Sequence, residues 1–489
     1  QMSDRVLDDA ARCPVKTPFT VLIDSDNQQL QVTCKHVLRY LPGKRLVCAG
    51  EFNGQEVIVK FFINKKKARK NCLREELGIS ALQKASIFSP KILFKGVTCP
   101  ENQPALLIQK IEGGEDFKHV WQKAEDENRQ KKLMSKLALV VADLHEAGLN
   151  QRDMHLGNFM VAGDDIYTID GGALKFGQKK RPLSQSQSIK NLAAILAQFQ
   201  FQVDHLFPHV FKEYQVKRAW PEDKELNDRL TKRVNIERQK RVQKYLKKIY
   251  RESTAYVCRR SVSSFWVCSR PDLTQGMRGF LQDPDELMIS GQLLKNGNSS
   301  TVALVEVDGR QLVVKRYNIK NAMHGIKRAI RPSRAWISWR NAHYLRLIGV
   351  STPKPIAFLE KRIGPLRSTA YFITELISGM NAYQWFHSEN TDLKLQQDII
   401  EKFGQLFRKF YKCSIVHGEL KAANFIIFER QIIVTDLDAM SIYKRKSKRF
   451  LDCFKKDCKR FKKNWIHMHK AYEMSVHVCK DIVIRENNI

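Results

Sequence analysis

An acid, an amide and a second acid stand at fixed intervals in the first half of the chain. Asp153 lies five residues before Asn158 and seventeen residues before Asp170. Amide and carboxylate oxygens suit Mg²⁺, and a carboxylate a few residues before the amide can accept the proton of an attacking hydroxyl group. The spacing predicts phosphoryl transfer, with Asp153 as the base and with Asn158 and Asp170 as metal ligands.

The same spacing recurs in the second half of the chain, with a constant offset of 266 residues. Four pairs of residues share this offset, namely Asp153 and Glu419, Asn158 and Asn424, Asp170 and Asp436, and Asn191 and Asp457. A register that persists through loops and strands indicates a duplicated structural unit. In the first copy, residues 159–169 predict a short hairpin that brings the two metal ligands on either side of it close together, at the same opening of the site.

A lysine precedes each of these segments and follows a strong turn signal. Lys60 comes after Asn53-Gly54, and Lys315 comes after Asp308-Gly309, in both cases within alternating apolar residues. Asn-Gly and Asp-Gly between such runs predict tight hairpins. Each lysine is therefore expected on the second strand of a hairpin, where it can meet the phosphates of a donor.

The two copies differ in the acid that should hold this lysine. In the first copy Glu75 shares a helical face with Ile79, so it is expected to point inward and pair with Lys60. The second copy has no acidic residue from 316 to 359, and Lys315 is therefore expected to lack the usual local ion pair.

The catalytic position also differs between the copies. Glu419 stands where the first copy has Asp153, and its extra methylene displaces the carboxylate by about a bond length. Misplacement on that scale can cost about 100-fold in rate. We therefore predict a complete catalytic set in the first copy and a weak kinase or pseudokinase in the second.

These patterns define an α+β protein of two tandem protein-kinase-like domains, each with a β-rich N-lobe and a helical C-lobe. We expect the first domain over residues 1–258, a linker over 259–285 and the second domain over 286–489. The hinge of the first domain is expected at residues 111–114, where the backbone around Glu112 would meet the adenine of a nucleotide.

A formal net charge of +33 requires an anionic partner. The segment 443–463 is strongly basic and interleaves Phe450, Phe454 and Phe461 at helical intervals. Such a helix can lie on an anionic bilayer or follow nucleic-acid phosphates, and alternatively its aromatic residues belong to the core. Because no nucleic-acid-binding signature accompanies the charge, an anionic membrane or a phosphorylated glycolipid is favoured over nucleic acid.

The remaining composition indicates a cytoplasmic protein. No apolar run approaches the length of a membrane span, and no signal peptide is expected, since acidic residues interrupt the first residues. Eleven scattered cysteines suit a reducing compartment.

The motifs resemble those of the bacterial lipopolysaccharide core (heptose/Kdo) kinases. The resemblance rests on Arg152-Asp153-x-His155-x-x-Asn158-Phe159 with Ile169-Asp170-Gly171-Gly172, and on His417-Gly-x-Leu-Lys-Ala-Ala-Asn424-Phe425 in the second copy. It implies ATP-dependent phosphorylation of an inner-core sugar hydroxyl at the cytoplasmic face of the inner membrane, by an enzyme peripheral to that membrane.

The resemblance also assigns roles to individual residues. It implies that Lys60 and Glu75 form the phosphate-binding pair, that Asp153 is the base and that Asn158 and Asp170 hold Mg²⁺. In the second copy, Lys315, Asn424 and Asp436 are the corresponding nucleotide-binding positions. Gln151 departs from the family pattern in standing where a His usually begins the motif.

Two other functions stay open at this point. The chain could phosphorylate a protein or a soluble small molecule, or it could be a nonenzymatic pseudokinase scaffold at the membrane. In the lipopolysaccharide interpretation, the second copy would serve as a scaffold, a regulator or a module that docks the acceptor, and residues 179–181 would belong to the basic surface that engages it.

Overall fold

The computed structural model describes residues 16–25, 28–64, 66–176, 181–318, 331–388 and 392–465. The chain divides into two compact units, Gln1–Lys240 and Arg241–Ile489. Each unit has a β-rich part followed by a helical part, as the sequence predicts.

In the described part of the first unit, six strands close into an antiparallel barrel. The strands are β1 (Phe19–Ser25), β2 (Gln28–Leu41), β3 (Arg45–Phe52), β4 (Gln55–Phe62), β5 (Ile92–Cys99) and β6 (Pro104–Gln109). They are hydrogen-bonded in the order β1-β2-β3-β4-β6-β5. Val57, Val59 and Phe61 of β4 are fully buried in the barrel core. Because strand side chains alternate between faces, Lys60 projects from the opposite face.

The hairpin predicted around Asn53-Gly54 is confirmed. Strands β3 and β4 pair in a register that places Val47 opposite Lys60. Asn53 and Gly54 both have positive φ angles, of 49° and 77°, as a two-residue turn of this kind requires.

Helix α1 (Ala68–Lys84) packs on the outside of the barrel. Its apolar face, which includes Cys72 and Ile79, lies against Leu106 and Ile108 of β6. Glu75 lies on this buried face, as its spacing from Ile79 predicts.

Among the described residues, the helical part of the first unit contains five helices, the last of which extends past Lys240, and five short strands. The helices are α2 (Phe117–Lys123), α3 (Glu127–Glu146), α4 (Gln185–Leu196), α5 (Phe207–Lys217) and α6 (Lys224–Lys248). The strands are β7 (Glu115–Asp116), β8 (Leu149–Gln151), β9 (Phe159–Ala162), β10 (Asp165–Thr168) and β11 (Leu174–Phe176). Val141, Leu192 and Phe211, from α3, α4 and α5, are among the residues that form one apolar core.

Two local features of this part depend on turn and cap residues. Helix α3 ends before Gly148, whose φ of +70° stops the helix. Strands β9 and β10 form the predicted hairpin, with Phe159 opposite Thr168.

The second unit contains an open sheet of seven strands instead of a barrel. The strands are β12 (Tyr256–Arg260), β13 (Ser264–Ser269), β14 (Gln292–Gly297), β15 (Ser300–Val307), β16 (Arg310–Tyr317), β17 (Pro355–Ile363) and β18 (Leu366–Glu375). Their order is β12-β13-β17-β18-β16-β15-β14. Strands β15 and β16 form the second predicted hairpin, with positive φ angles at Asp308 and Gly309.

The other elements of the second unit repeat the pattern of the first. The helices are α7 (Gln275–Gln282), α8 (Pro284–Ser290), α9 (Arg334–Leu347), α10 (Ala382–His387), α11 (Leu393–Lys412) and α12 (Lys448–Lys463). The short strands are β19 (Met380–Asn381), β20 (Ile415–Val416), β21 (Phe425–Phe428), β22 (Gln431–Val434) and β23 (Ser441–Ile442). The hairpin of β21 and β22 corresponds to that of β9 and β10.

Residues 259–285, expected as a linker, differ from that expectation in this structure. Strand β13 lies in this range and pairs with β17 inside the second sheet, and α7 lies there as well. The physical reason is burial: Phe265, Val267 and Cys268 are at most 2% exposed. The Ser, Pro and Gly content of the range marks its turns and caps rather than a linker.

Helix α12 carries the basic, aromatic segment near the end of the chain. Its residues Phe450, Phe454 and Phe461 are buried in the core of the second unit, so the alternative interpretation of these aromatics is the one that the structure supports. The basic side chains of the helix lie on its exposed face. Among the described residues, no helix combines the length and the apolar character that a membrane span requires.

A buried histidine in the first unit makes stability depend on pH. His145 of α3 is fully buried, with Nδ1 2.7 Å from the Tyr214 hydroxyl and Nε2 2.9 Å from Asn191 Oδ1. Burial lowers the pKa of His145 from 6.5 to about 4. The unfolded chain therefore takes up a proton first, so stability is complete above pH 6.5 and falls as the pH decreases toward 4.

We predict that the stability gap between wild type and His145→Gln narrows on acidification. The variant loses the buried contacts at every pH, but its residue 145 does not titrate. The difference in unfolding free energy between wild type and variant should therefore shrink by about 2 kcal/mol between pH 7.5 and pH 5. Urea denaturation at the two pH values measures this gap. A gap that stays constant would show that His145 does not titrate between the folded and unfolded states.

Candidate active site

A cavity of about 350 Å³ in the first unit brings the predicted chemistry together. Five segments line it: the β2–β3 hairpin around its turn, the end of β4, helix α1, the loop after β8 and the segment after β10. The lining residues are Leu41, Lys44, Arg45, Phe62, Asn71, Arg74, Glu75, Arg152, Asp153, Asp170, Gly172 and Ala173.

The ion pair between Lys60 and Glu75 connects the barrel to helix α1. Lys60 Nζ lies 2.5 Å from Glu75 Oε1 and donates a second hydrogen bond to the carbonyl oxygen of Ile169 at 3.2 Å. The Lys60 side chain is 11% exposed and that of Glu75 is 1% exposed. A buried carboxylate needs a partner of this kind, and the two contacts hold the ammonium group beside Asp170, the residue after Ile169.

The second oxygen of Glu75 binds the segment that carries Asp170. Glu75 Oε2 accepts a hydrogen bond from the backbone N–H of Gly172 at 3.1 Å and lies 3.6 Å from Arg45. A Cβ atom at position 172 would lie 2.6 Å from Glu75 Oε2, so any other residue there would require the Glu75 carboxylate to move.

The loop after β8 holds Asp153 through its backbone. Asn158 Nδ2 donates to the carbonyl oxygen of Asp153 at 2.8 Å, and Ile169 N donates to the carbonyl oxygen of Asn158 at 2.9 Å. The β9–β10 hairpin thus returns Asp170 to the same wall. The Asp153 side chain is 67% exposed, so its carboxylate is accessible from the cavity.

Asn191, the fourth position of the repeat, supports this loop from below. Its side-chain Nδ2 donates to the carbonyl oxygen of Gln151 at 2.8 Å. In the second unit Asp457 contacts the other end of the equivalent peptide group, accepting from the backbone N–H of Gly418 at 2.8 Å. The constant offset therefore extends to the support of the loop, and Gln151, in place of a His, keeps its backbone in this arrangement.

Asn158 and Asp170 fit a magnesium ion by the chemistry of their donors. The amide nitrogen of Asn158 is engaged with Asp153, which leaves its side-chain oxygen as the available ligand, and Asp170 supplies a carboxylate. Among the described residues no cluster of three or more His, Cys, Asp or Glu side chains is suited to a metal. A two-ligand site completed by phosphate and water oxygens is the arrangement that Mg²⁺ favours with phosphoryl donors.

The second unit reproduces two backbone contacts of this loop. Asn424 Nδ2 donates to the carbonyl oxygen of Glu419 at 2.7 Å, and Thr435 N donates to the carbonyl oxygen of Asn424 at 2.9 Å. The two copies therefore share these contacts, and the backbone differs at Gly418, whose φ is +84°.

Lys315 finds its acidic partners in a different element. Its ammonium group contacts the carboxylates of Asp436 and Asp438, the latter at 3.2 Å. Asp438 also binds Arg334 of helix α9, at 2.7 Å. With the offset of 266, Asp438 occupies the position of Gly172. In the second unit the buried acid therefore belongs to the loop rather than to the helix, and the helix contributes a positively charged side chain.

The charge of Asp436 depends on this arrangement. Burial on its own would raise the pKa of Asp436, but the neighbouring ammonium of Lys315 outweighs it and keeps the pKa below the usual value. Lys315 and Asp436 therefore neutralise each other, in contrast to the first unit, where Lys60 binds the helix acid instead.

The structure also places the remaining predicted residues. Glu112 is exposed in the turn between β6 and β7 and does not line the cavity, so its contact with a nucleotide stays a prediction. Lys179 and Lys180 lie outside the described residues. Asn424 and Asp436 are positioned as described above, and nucleotide binding in the second unit stays a prediction.

Sequence reasoning missed a group of residues that the fold brings to these sites. They are Lys44, Arg45 and Arg74 in the first unit and Asp438 and Arg334 in the second. One signal was available: the second copy reads Asp-Leu-Asp where the first reads Asp-Gly-Gly, which places an extra acid beside the metal position.

The model of the Lipopolysaccharide kinase (Kdo/WaaP) family matches residues 60–200 and 282–472. These ranges cover more than half of the chain, so the chain belongs to this family of kinases. The first match begins at Lys60 and contains Asp153 and Asp170, and the second contains Lys315 and Asp436. The chain consists of two tandem protein-kinase-like units, which confirms the predicted family and fold class.

Comparison with solved structures includes a mutant of the PknI kinase domain from Mycobacterium tuberculosis. The two sequences are 13% identical over the match, which covers 34% of this chain and 72% of the PknI chain. The TM-score is 0.25. No curated protein matches the chain. The family assignment therefore rests on the two matched ranges.

We predict that Asp438→Asn destabilises the second unit. The substitution removes the carboxylate that Lys315 and Arg334 both contact, while Lys315 keeps Asp436 and Arg334 is 27% exposed, so the loss should be about 1–3 kcal/mol. Urea denaturation measures the loss. The matched control is Asp452→Asn on the exposed face of α12, which should change stability by about 0.5 kcal/mol or less. Equal effects of the two variants would contradict the role given to Asp438.

Proposed function

We propose that the first unit transfers the terminal phosphoryl group of ATP to a sugar hydroxyl of the lipopolysaccharide inner core, on a heptose or on Kdo. The observation that carries the proposal is the single cavity lined by Glu75, Asp153 and Asp170. In this proposal Glu75 holds the phosphate-binding lysine, Asp153 is the base and Asp170 is a metal ligand, and all three side chains line the same cavity. The family membership supports lipopolysaccharide as the acceptor.

Lys60 binds the phosphate oxygens of the donor. Glu75 Oε1 and the carbonyl oxygen of Ile169 fix the ammonium group at 2.5 and 3.2 Å. Because the ammonium is already oriented, little reorganisation is needed when charge develops on the transferred group. The backbone of the turn at Glu112 meets the adenine in this proposal.

Asp153 acts on the acceptor. Its backbone carbonyl is held by Asn158, while its carboxylate is accessible from the cavity. It orients the sugar hydroxyl toward the donor and accepts the proton as the new bond to phosphorus forms. A general base of this kind contributes about 10²–10⁴ in rate.

Asn158 and Asp170 hold Mg²⁺ in the same proposal. The ion, when bound, neutralises the charge of the donor phosphates. Asp170 is kept in place by the hydrogen bond from Gly172 N to its Oδ1, at 3.1 Å. Since Lys60 pairs with Glu75 rather than with Asp170, the Asp170 carboxylate is available as a ligand.

The second unit serves as a scaffold, a regulator or an acceptor-docking module. Two features support a loss of catalysis. Glu419 replaces the aspartate base, and Asp436 is engaged by Lys315. An intact loop backbone with a neutralised active-site lysine is typical of a domain that keeps the fold after losing the reaction.

The exposed face of helix α12 attaches the protein to the anionic cytoplasmic face of the inner membrane. Lys455, Lys456 and Lys459 lie on this face, while Phe450 and Phe461 are buried on the other side. The helix therefore contributes charge without inserting its aromatics. Each basic residue near an anionic surface contributes about 1 kcal/mol.

We predict that phosphate transfer depends on Asp153 and not on Glu419. Purified protein is incubated with Mg²⁺, radiolabelled ATP and inner-core lipopolysaccharide, and the label on the core sugars is measured. Asp153→Asn should lower the rate at least about 100-fold because the base is lost.

The matched control is Glu419→Gln at the equivalent position of the second unit, for which we expect a change of about twofold or less. Label that survives Asp153→Asn but disappears with Glu419→Gln would move catalysis to the second unit. An absence of label with the wild-type protein would contradict lipopolysaccharide as the acceptor.

We also predict that replacing Lys455, Lys456 and Lys459 together by Gln weakens binding to vesicles of anionic phospholipid. Three lost contacts of about 1 kcal/mol each amount to about 100-fold in affinity at low salt. Vesicle co-sedimentation measures the binding, and vesicles of neutral phosphatidylcholine are the control. Unchanged binding to anionic vesicles would exclude this face as the attachment site.

A further inference from the structure

The cavity of the first unit contains more positive charge than the donor site requires. Besides the carboxylates already assigned, its wall includes Lys44, Arg45, Arg74 and Arg152. Lys60, the residue assigned to the donor phosphates, is additional to these four. A cavity with this many cations beside a reacting centre is suited to an anion other than the donor.

Arg152 is the cation next to the base. Its backbone N–H donates to the carbonyl oxygen of Ala173 at 3.1 Å, which ties this point of the loop to the segment after Asp170. Its side chain is exposed and lines the same cavity as Asp153. Within the part of the chain that the structure describes, no carboxylate forms an ion pair with Arg152, so its guanidinium is available to a ligand.

Arg74 faces the same cavity from helix α1. One of its N–H groups donates to the carbonyl oxygen of Gly172 at 2.7 Å, which orients the guanidinium. An arginine has five N–H donors, so this contact leaves others for a bound anion. Arg45, by contrast, is 3.6 Å from Glu75 and already has a partial counter-charge.

The second unit lacks this cation and cannot accommodate it. Gly418 stands at the position of Arg152, with a φ of +84°. A Cβ atom there would lie 2.6 Å from the carbonyl oxygen of Ala439. An arginine at the residue directly before the acid is therefore a feature of the first unit, whereas in the second unit the guanidinium of Arg460 binds the carbonyl oxygen of Gly418.

We propose that Arg152, together with Arg74, binds an anionic group that the acceptor sugar carries near the hydroxyl presented to Asp153. The group is a carboxylate or a phosphate ester, which a guanidinium can bind through two parallel hydrogen bonds. This inference rests on the proposed function and deepens it by assigning the residues that read the acceptor. Arg152 belongs to the acceptor because it is adjacent to Asp153, whereas the donor phosphates lie with Lys60 and Asp170.

The test measures acceptor binding in the Asp153→Asn background, where turnover does not interfere. The probe is a Kdo-bearing inner-core lipid in three forms: untreated, with its carboxylates reduced to alcohols, and with its phosphates removed by phosphatase. Adding Arg152→Gln should weaken binding of the untreated lipid by about 10- to 100-fold, the effect of losing a hydrogen-bonded charge. Arg152→Lys keeps the charge but not the paired donors, so its loss should be smaller.

The anionic group is identified by the form of the lipid whose affinity is no longer changed by Arg152→Gln. If carboxyl reduction removes the dependence, the group is a carboxylate, and if phosphatase treatment removes it, the group is a phosphate. The matched control is Arg129→Gln, an exposed arginine on α3 that does not line the cavity and should leave the affinity unchanged within about twofold.

Two results would overturn the inference while leaving the proposed function intact. One is phosphorylation and binding of the lipid with no dependence on Arg152. The other is an equal loss of ATP affinity in Arg152→Gln, which would assign the guanidinium to the donor. Failure of every form of the lipid to bind the Asp153→Asn protein would overturn the proposed function, and the acceptor site with it.

Discussion

A lysine at the end of a barrel or sheet strand needs a carboxylate when it is taken out of water, and this requirement organises both sites. In the first unit, Glu75 supplies the carboxylate from helix α1 and binds Gly172 N at the same time. In the second unit, Asp438 supplies it from the loop, and the helix contributes Arg334. A Cβ atom at position 172 would lie 2.6 Å from Glu75 Oε2, so an acid in the loop of the first unit would displace the Glu75 carboxylate from its present position.

The source of the carboxylate determines which groups remain for chemistry. With the acid on the helix, Lys60 is oriented without using Asp170, so in the proposed function a cation for the donor and a carboxylate for the metal coexist. With the acid on the loop, Lys315 also engages Asp436, and the metal position is neutralised by the lysine. The duplicated backbone, with Asn158 and Asn424 in equivalent contacts, thus supports two different electrostatic states.

Features that depend on local sequence were predictable. The turn at Asn53-Gly54, the burial of Glu75 and the β9–β10 hairpin follow from turn chemistry and periodicity over a few residues. The linker expected over residues 259–285 shows the limit of that reasoning. Strand β13 is defined by pairing with β17, about ninety residues later in the chain, and no local pattern specifies such a partner. The convergence of Arg74 with Arg152, and of Asp438 with Lys315, depends on the same long-range packing.

Comparing the two active-site lysines tests the central claim most directly. Transfer of labelled phosphate to inner-core lipopolysaccharide is measured for Lys60→Met and for Lys315→Met, with circular dichroism to establish that both variants fold. If the helix-held lysine of the first unit serves the reaction, Lys60→Met loses transfer by about 100-fold or more, while Lys315→Met keeps it within a few-fold. Retention of activity in Lys60→Met together with loss in Lys315→Met would contradict the account.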